Sequence, residues 1–358
     1  MSRVLMKGNE AFGEGAIRAG CRHFFGYPIT PQSELPHFLA RRLPEIGGVY
    51  LQAESEVAAI NMVYGAAAAG ARVLTSSSGP GISLMQEGIS YMAGAELPCV
   101  IVNVMRGGPG LGNIAPSQGD YFQATRGGGH GDYRMSVLAP ATVQEIIEMM
   151  QEAFDLADRY RNPVMVVGDG ILGQMMEPVE MEEGTLPSPP PKPWATVGLG
   201  GRTQPNIINS LYIVPEVNEE RNWALAAKYD TMKVAEQRWE EYRLEDAETV
   251  LVAFGTVARI AKAVVDRARK AGIAAGLIRP ITLWPFPEKA FLRAGRAERF
   301  LVVEMNLGQM VEDVRLTVNG GFPIHFYGRP GGTVPTVREV FAELQKVMEV
   351  SAGGQNHF

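Results

Sequence analysis

The 358 residues carry 46% hydrophobic and 20% charged side chains, the balance of a folded protein long enough for two domains with separate cores. A net charge of -6 without any basic cluster argues against a nucleic-acid-binding surface. No apolar run approaches the ~20 residues of a membrane span, and the amino terminus lacks a signal-peptide pattern, so the expected compartment is the cytoplasm, with no membrane partner. Cys21 and Cys99 are the only cysteines, which excludes a disulfide framework, a cysteine zinc site and an iron–sulfur cluster held by this chain alone.

In chain order, a helix near Gly8–Arg18 precedes a short strand at His23–Phe25. The following Gly26-Tyr27-Pro28-Ile29-Thr30-Pro31 puts two prolines and a turn glycine where a strand hands over to a helix. Thr30 and Pro31 read as N-cap and first residue of a helix reaching about Arg42, with Glu34 one turn in. A threonine so placed sits at the carboxyl end of a strand, where open α/β sheets bind ligands. Thr30 is thus either a plain helix cap or a substrate contact.

A strand at Val49–Gln52, a helix over Glu56–Ala69, a strand at Arg72–Ser76 and a helix over Ile82–Ala93 come next. Strands at Cys99–Val104 and Ser136–Leu138, a helix over Val143–Arg159 and a strand at Val164–Gly168 complete a run of alternating elements. Such alternation implies a parallel sheet with helices on both faces. Ser55 can cap the helix that Glu56 begins, and Ala58, Ala59 and Ala66 to Ala69 imply that this helix is tightly packed. Glu56 is either a charge complementing the helix dipole or a buried carboxylate in need of a specific partner. Thr75-Ser76-Ser77-Ser78-Gly79-Pro80-Gly81 is a small-residue strand-to-helix turn that lets a ligand approach the backbone and offers free N–H groups. Arg106, at the end of a buried strand, can hold a carboxylate bidentately or form a structural salt bridge. Glycine-rich loops follow at Gly107–Gly112 and Gly127–Asp132; His130, in the second, has no other histidine at zinc-binding spacing.

Gly168-Asp169-Gly170 matches the start of the metal and diphosphate motif of thiamine diphosphate enzymes, but the downstream window that should hold an asparagine contains Trp194 and Ala195. The chain therefore lacks that metal site. Leu186-Pro187-Ser188-Pro189-Pro190-Pro191-Lys192-Pro193 cannot be helix or central strand and opens a connecting region in which Trp223–Arg243 reads as a wrapping surface helix. A second α/β unit begins with a strand at Thr249–Gly255 and continues with a helix at Val257–Ala271, strands at Ala275–Ile278, Phe300–Glu304 and Ile324–Tyr327, and a helix at Val337–Val350. The expected divisions are residues 1–178, a connecting region 179–246, a second domain 247–348 and a frayed tail 349–358.

Tyr27-Pro28-Ile29-Thr30-Pro31, Glu56 on its alanine-rich helix, the Thr75–Gly81 turn and the strand ending in Arg106 occur together in this order, and over nearly its whole length the chain resembles the alpha subunit of 2-oxoacid:ferredoxin oxidoreductases. The glycine-rich loop and Asn113-Ile114-Ala115-Pro116-Ser117-Gln118-Gly119-Asp120 are most similar to the 2-oxoisovalerate (branched-chain) type. The resemblance implies a pyrimidine-type thiamine diphosphate-binding domain with an open parallel sheet, followed by a transketolase carboxyl-terminal-like α/β domain. It implies that this chain contacts the aminopyrimidine of thiamine diphosphate through Glu56, Ile29, Ser77, Ser78 and Gly79, with Glu56 on the ring nitrogen promoting the imino tautomer. Thr30 and Arg106 match family residues at the substrate, Arg106 pairing its carboxylate. A beta subunit would hold the diphosphate and Mg2+, and partner chains the iron–sulfur clusters. Gamma and ferredoxin-like subunits, ferredoxin as acceptor and coenzyme A as co-substrate complete the expected assembly. The competing readings are a 2-oxoglutarate enzyme and a non-catalytic assembly or regulatory subunit of the same fold.

Overall fold

The computed structural model of the chain describes residues 2–181 and 188–352. Leu186 and Pro187, at the start of the proline-rich segment, and the tail from residue 353 lie outside the described residues; residues 188–191 have no regular structure.

An antiparallel pair, β1 (Ser2–Lys7) with β8 (Met176–Met181), flanks a seven-stranded sheet. That sheet contains β2 (His23–Gly26), β3 (Val49–Gln52), β4 (Val73–Ser77), β5 (Cys99–Met105), β6 (Ser136–Leu138) and β7 (Pro163–Asp169), all parallel. Its strand order is β12-β6-β7-β5-β4-β2-β3, and β12 (Thr282–Trp284) joins antiparallel from the second half of the chain. Central strands β4, β5 and β7 are buried at every residue, which is why they read as continuous apolar or small-residue runs.

Helices α1 (Gly8–Arg18), α2 (Glu34–Glu45) and α6 (Val143–Tyr160) share one core around Phe12, Leu39, Val102, Ile146 and Phe154. Helices α3 (Glu56–Ala68) and α4 (Pro80–Gly94) belong to a second core, which runs on without a break into Leu225, Phe254 and Phe300 of the second half. Short helices α5 (Tyr121–Arg126) and α7 (Gly170–Gln174) follow β5 and β7. The second sheet is β14-β13-β10-β11-β9, formed by β9 (Trp239–Tyr242), β10 (Thr249–Val252), β11 (Ala275–Pro280), β13 (Arg299–Glu304) and β14 (Ile324–Gly328). Helices α9 (Gly255–Lys270) and α12 (Val337–Ala352) pack on one side of it around Leu251, Val264, Leu301 and Val340. Helices α8 (Pro215–Ala235), α10 (Glu288–Phe291) and α11 (Met310–Val318) complete the fold.

Two expected elements differ. Helix α2 begins at Glu34, not Pro31, and Thr30 caps nothing, because the Pro31 carbonyl is taken by Asn9 Nδ2 at 2.8 Å instead of a helical N–H. The expected helix at Trp223–Arg243 ends at Ala235, and Trp239–Tyr242 pairs antiparallel with β11. Trp and Tyr favour a pleated edge, and Glu240 meets Arg279 of the neighbouring strand at 2.9 Å.

The two halves are stitched at one seam. Gln118, fully buried, donates from Nε2 to Phe254 O at 2.9 Å and accepts from Met305 N at 3.0 Å, while its own N–H donates to Met305 O at 3.0 Å. Arg279 donates to both oxygens of Glu145, each at 2.8 Å.

Candidate active site

The carboxyl edge of the seven-stranded sheet gathers most of the sequence-derived site residues. Ser55 Oγ accepts from Ala58 N at 3.1 Å and caps α3, leaving Glu56 without a capping role. The Glu56 side chain is 5% exposed and has no hydrogen bond or ion pair among the described residues. A bare stretch of α4 makes room for it: a Cβ at Gly81 would stand 2.1 Å from Ser77 Oγ and 2.5 Å from Glu56 Oε1. Glu56 and Ser77 therefore converge on the first turn of α4.

That turn depends on Gly79, whose φ of 46° and ψ of -111° suit glycine and let β4 pass straight into a helix with Pro80 in its first turn. Ser77, Ser78 and Thr75 are fully buried, and none of their hydroxyls has a partner among the described residues. Buried hydroxyls are usually satisfied, so these three and the unpaired carboxylate leave hydrogen-bonding capacity open to another molecule. Ile29 stands half-buried on the adjoining turn after β2.

Arg106, 8% exposed, follows β5 and forms no ion pair among the described residues, so the structural salt bridge is not found. It donates from Nη1 to Thr30 O at 2.9 Å and from Nη2 to Leu111 O at 3.2 Å, and its Nε is buried without a partner. Two carbonyls thus aim a guanidinium that keeps free donors for a carboxylate. Thr30 itself is exposed, its hydroxyl making no bond among the described residues.

Two hollows open here. A cleft of about 610 Å³ between the two halves is lined by Gly79, Pro80, Arg106, Asp120, Asn306 and Gly331, among others. A shallower one of about 540 Å³ beside Thr30 is walled by Pro31, Ile114, Pro116, Ile171 and Met175. Asp120 is the site residue that the sequence left without a role, although it ends the stretch Asn113–Asp120. Its Oδ2 accepts from Asn103 Nδ2 at 3.1 Å, and burial pushes its carboxyl up against the pull of Asn103, Arg106 and the Gly79 N–H.

Asp169 is engaged elsewhere, since its Oδ1 accepts from Ile171 N at 2.9 Å and Leu172 N at 3.2 Å and so caps α7. His130 is exposed. Both cysteines are buried, Cys21 pushed up to about 12 by that burial. Among the described residues no helix is long and apolar enough to cross a membrane.

Residues 14–240 match the family described as pyruvate flavodoxin/ferredoxin oxidoreductase, thiamine diphosphate-binding, and residues 247–340 match pyruvate:ferredoxin oxidoreductase core domain II. The chain belongs to the 2-oxoacid:ferredoxin oxidoreductase family. It is a subunit of such an oxidoreductase and carries the family's thiamine diphosphate-binding domain. The ketoisovalerate oxidoreductase subunit VorB of Methanothermobacter thermautotrophicus is 51% identical over 98% of this chain and 99% of its own. The 2-oxoglutarate:ferredoxin oxidoreductase of Magnetococcus marinus, solved with 2-oxoglutarate, coenzyme A and succinyl-coenzyme A bound, superposes with a TM-score of 0.86 at 27% identity. The match covers 96% of this chain and 65% of that one. A split-gene transketolase superposes with a TM-score of 0.61 at 15% identity over 96% of this chain and 98% of its own, a likeness of fold alone. The expected fold, a thiamine diphosphate-type sheet domain followed by a transketolase-like α/β domain, is the one found.

Proposed function

We propose that this chain is the alpha subunit of an enzyme that oxidatively decarboxylates a branched-chain 2-oxoacid to its acyl-coenzyme A and carbon dioxide, with electrons passing to ferredoxin. The observation that carries the reading is the unsatisfied edge of the first sheet: a buried Glu56, unpaired among the described residues, meets Ser77 at Gly81, the hydroxyls of Thr75, Ser77 and Ser78 are likewise unpartnered, and the Arg106 side chain lies against Gly79. A non-catalytic subunit has no reason to keep such a set of costly unpaired groups.

Those groups suit the pyrimidine end of thiamine diphosphate. Glu56 would hold a ring nitrogen, Ser77 and Ser78 would supply hydroxyl partners, Gly79 would let the ring approach the backbone, and Ile29 would pack against it. Thiamine diphosphate, when bound, supplies the electron sink that takes up the bonding pair left behind as carbon dioxide departs. Arg106 pairs the substrate carboxylate, and the Thr30 hydroxyl donates to the substrate at the same edge. The diphosphate and Mg2+ belong to a beta subunit, a division favoured by the commitment of Asp169 to capping α7. Two cysteines cannot hold an iron–sulfur cluster, so gamma and ferredoxin-like subunits complete the electron path to ferredoxin.

Substrate choice follows from the walls around Thr30. Ile114, Ile171 and Met175 are apolar, and Arg126, at the end of α5, is paired with Asp313 at 2.9 Å. A 2-oxoglutarate side chain needs a second cation, whereas an apolar side chain needs only to displace water. The likeness to a 2-oxoglutarate enzyme keeps that substrate as the rival. Specificity constants of the assembled complex for 2-oxoisovalerate and 2-oxoglutarate, with coenzyme A and a ferredoxin acceptor, decide between them: a preference for 2-oxoglutarate overturns the branched-chain assignment. Turnover by the isolated chain would overturn the division between subunits.

A further inference from the structure

The backbone carrying Thr30 is fastened by elements far apart in sequence. Arg106, after β5, donates to Thr30 O at 2.9 Å. Asn9, fully buried on α1, donates from Nδ2 to Pro31 O and to Glu34 Oε2, each at 2.8 Å, and Gln174 Nε2 reaches the same two acceptors at 3.3 and 2.9 Å. Gln32, also fully buried, accepts from Ser76 Oγ on β4 at 2.6 Å. Three consecutive residues are thus tied to β5, α1 and β4. The Thr30 hydroxyl has no partner among the described residues and stands at the exposed tip.

A loop that served only to connect β2 with α2 would not require three buried tethers. The tethers also run to informative places. Ser76 immediately precedes Ser77, whose hydroxyl stands against Gly81 and Glu56, so the Gln32–Ser76 bond fixes the Thr30 turn relative to the strand beside Glu56. Asn9 holds the other side of the same turn.

We propose that Asn9 and Gln32 are positioning residues that set the Thr30 hydroxyl in the register a 2-oxoacid requires, a step that rests on the assignment of Thr30 to the substrate. Neither touches the substrate. Their effect is geometric, and displacement of a reacting group by about 1 Å costs up to about a hundredfold in rate.

The test uses the assembled complex. Gln32→Met keeps the side chain's length, removes the acceptor for Ser76, and discards an Nε2 that has no partner among the described residues. It should lower kcat/KM for the 2-oxoacid by about tenfold or more while the KM for coenzyme A stays within about twofold. Ser76→Ala removes the same bond from the other side and should cost the same; it carries the test if Gln32→Met fails to assemble. Asn9→Leu should produce a loss of the same kind. The decisive measurement repeats Gln32→Met in a Thr30→Val background, where a residue acting through Thr30 has nothing further to lose. A full second loss there would mean a general structural role and overturn the proposal, as would Gln32 and Ser76 variants with normal constants beside an impaired Thr30→Val. Unchanged constants in Thr30→Val alone would overturn the role of Thr30 itself.

Discussion

The carboxyl edges of the two sheets each bury a glutamate, and they treat it in opposite ways. Glu304, fully buried at the end of β13, accepts from Asn306 Nδ2 at 2.8 Å, Met310 N at 2.8 Å, Val311 N at 3.0 Å and Gln309 N at 3.4 Å. Those donors bind it into the start of α11, although burial still leaves its carboxyl pushed up. Glu56 is nearly as buried and has no donor among the described residues. The chain satisfies a buried carboxylate where the fold needs one, and leaves one unsatisfied at the edge where the proposed cofactor would complete the set. Asp169 follows the first pattern and Arg106 the second.

The contrast predicts its largest effect at Glu56. Glu56→Gln keeps the shape but cannot make the charge-assisted bond to a ring nitrogen, and turnover of the assembled complex should fall about a hundredfold or more. A variant that assembles, binds cofactor and turns over normally would reduce Glu56 to the first residue of a helix. Arg106→Leu comes next: its free donors should be worth roughly 1.5–3 kcal/mol to a carboxylate, so KM should rise about tenfold to a hundredfold for every 2-oxoacid tested. An unchanged KM would assign the guanidinium to holding Thr30 O and Leu111 O and nothing more. Glu304→Gln should do the opposite of both. Loss of acceptors for buried N–H groups should cost about 1–3 kcal/mol of stability, read as a lowered unfolding midpoint, with the KM for 2-oxoacid little changed.

Much of this was legible in the residues, for reasons that differ by region. Buried parallel strands such as β5 and β7 announce themselves as apolar runs, and Ser55, Gly79 and Pro80 mark the starts of α3 and α4. Thr30 and Pro31 misled as a helix start because local sequence cannot show that a fully buried Asn9, more than twenty residues away, claims the Pro31 carbonyl. The strand Trp239–Tyr242 was hidden for a similar reason: it exists through pairing with β11, while its charged neighbours continue a helical pattern. β12, three residues between prolines, takes its identity from a partner strand in the other half. At the proposed site, residue types able to bind ligands could be picked out, but whether Glu56 and Arg106 were paired internally required the packed structure.

A smaller effect lies at the seam. Burial pushes the Glu145 carboxyl up, but the two hydrogen bonds and the charge of Arg279, with the Ala141 N–H, outweigh it and hold the group below its ordinary range. A carboxyl lowered on folding contributes stability that is present above its unfolded value of about 4.3 and is lost as pH falls through the folded value. Glu145→Gln should therefore lower the unfolding midpoint near neutrality, and the gap to the parent should close in acid. A gap that is constant with pH would mean that packing, not the ion pair, accounts for the loss.

The smallest effect should come from Arg126, and it sharpens the comparison because Arg126 is a charge the chain has already satisfied. Its side chain is 43% exposed, meets Asp313 at 2.9 Å and lies over the Phe122 ring at 5.4 Å, while Tyr121 donates to the other Asp313 oxygen at 2.7 Å. An exposed pair of this kind is worth at most about 1 kcal/mol, so Arg126→Ala should leave stability almost unchanged. More telling is the ratio of specificity constants for 2-oxoisovalerate and 2-oxoglutarate. With Arg126 held by Asp313, the substitution removes no substrate contact, and the ratio should move by less than about threefold. If the 2-oxoglutarate constant instead collapses while that for 2-oxoisovalerate holds, Arg126 leaves Asp313 to serve as the second cation, and the branched-chain assignment falls while Glu56, Thr30 and Arg106 keep their roles.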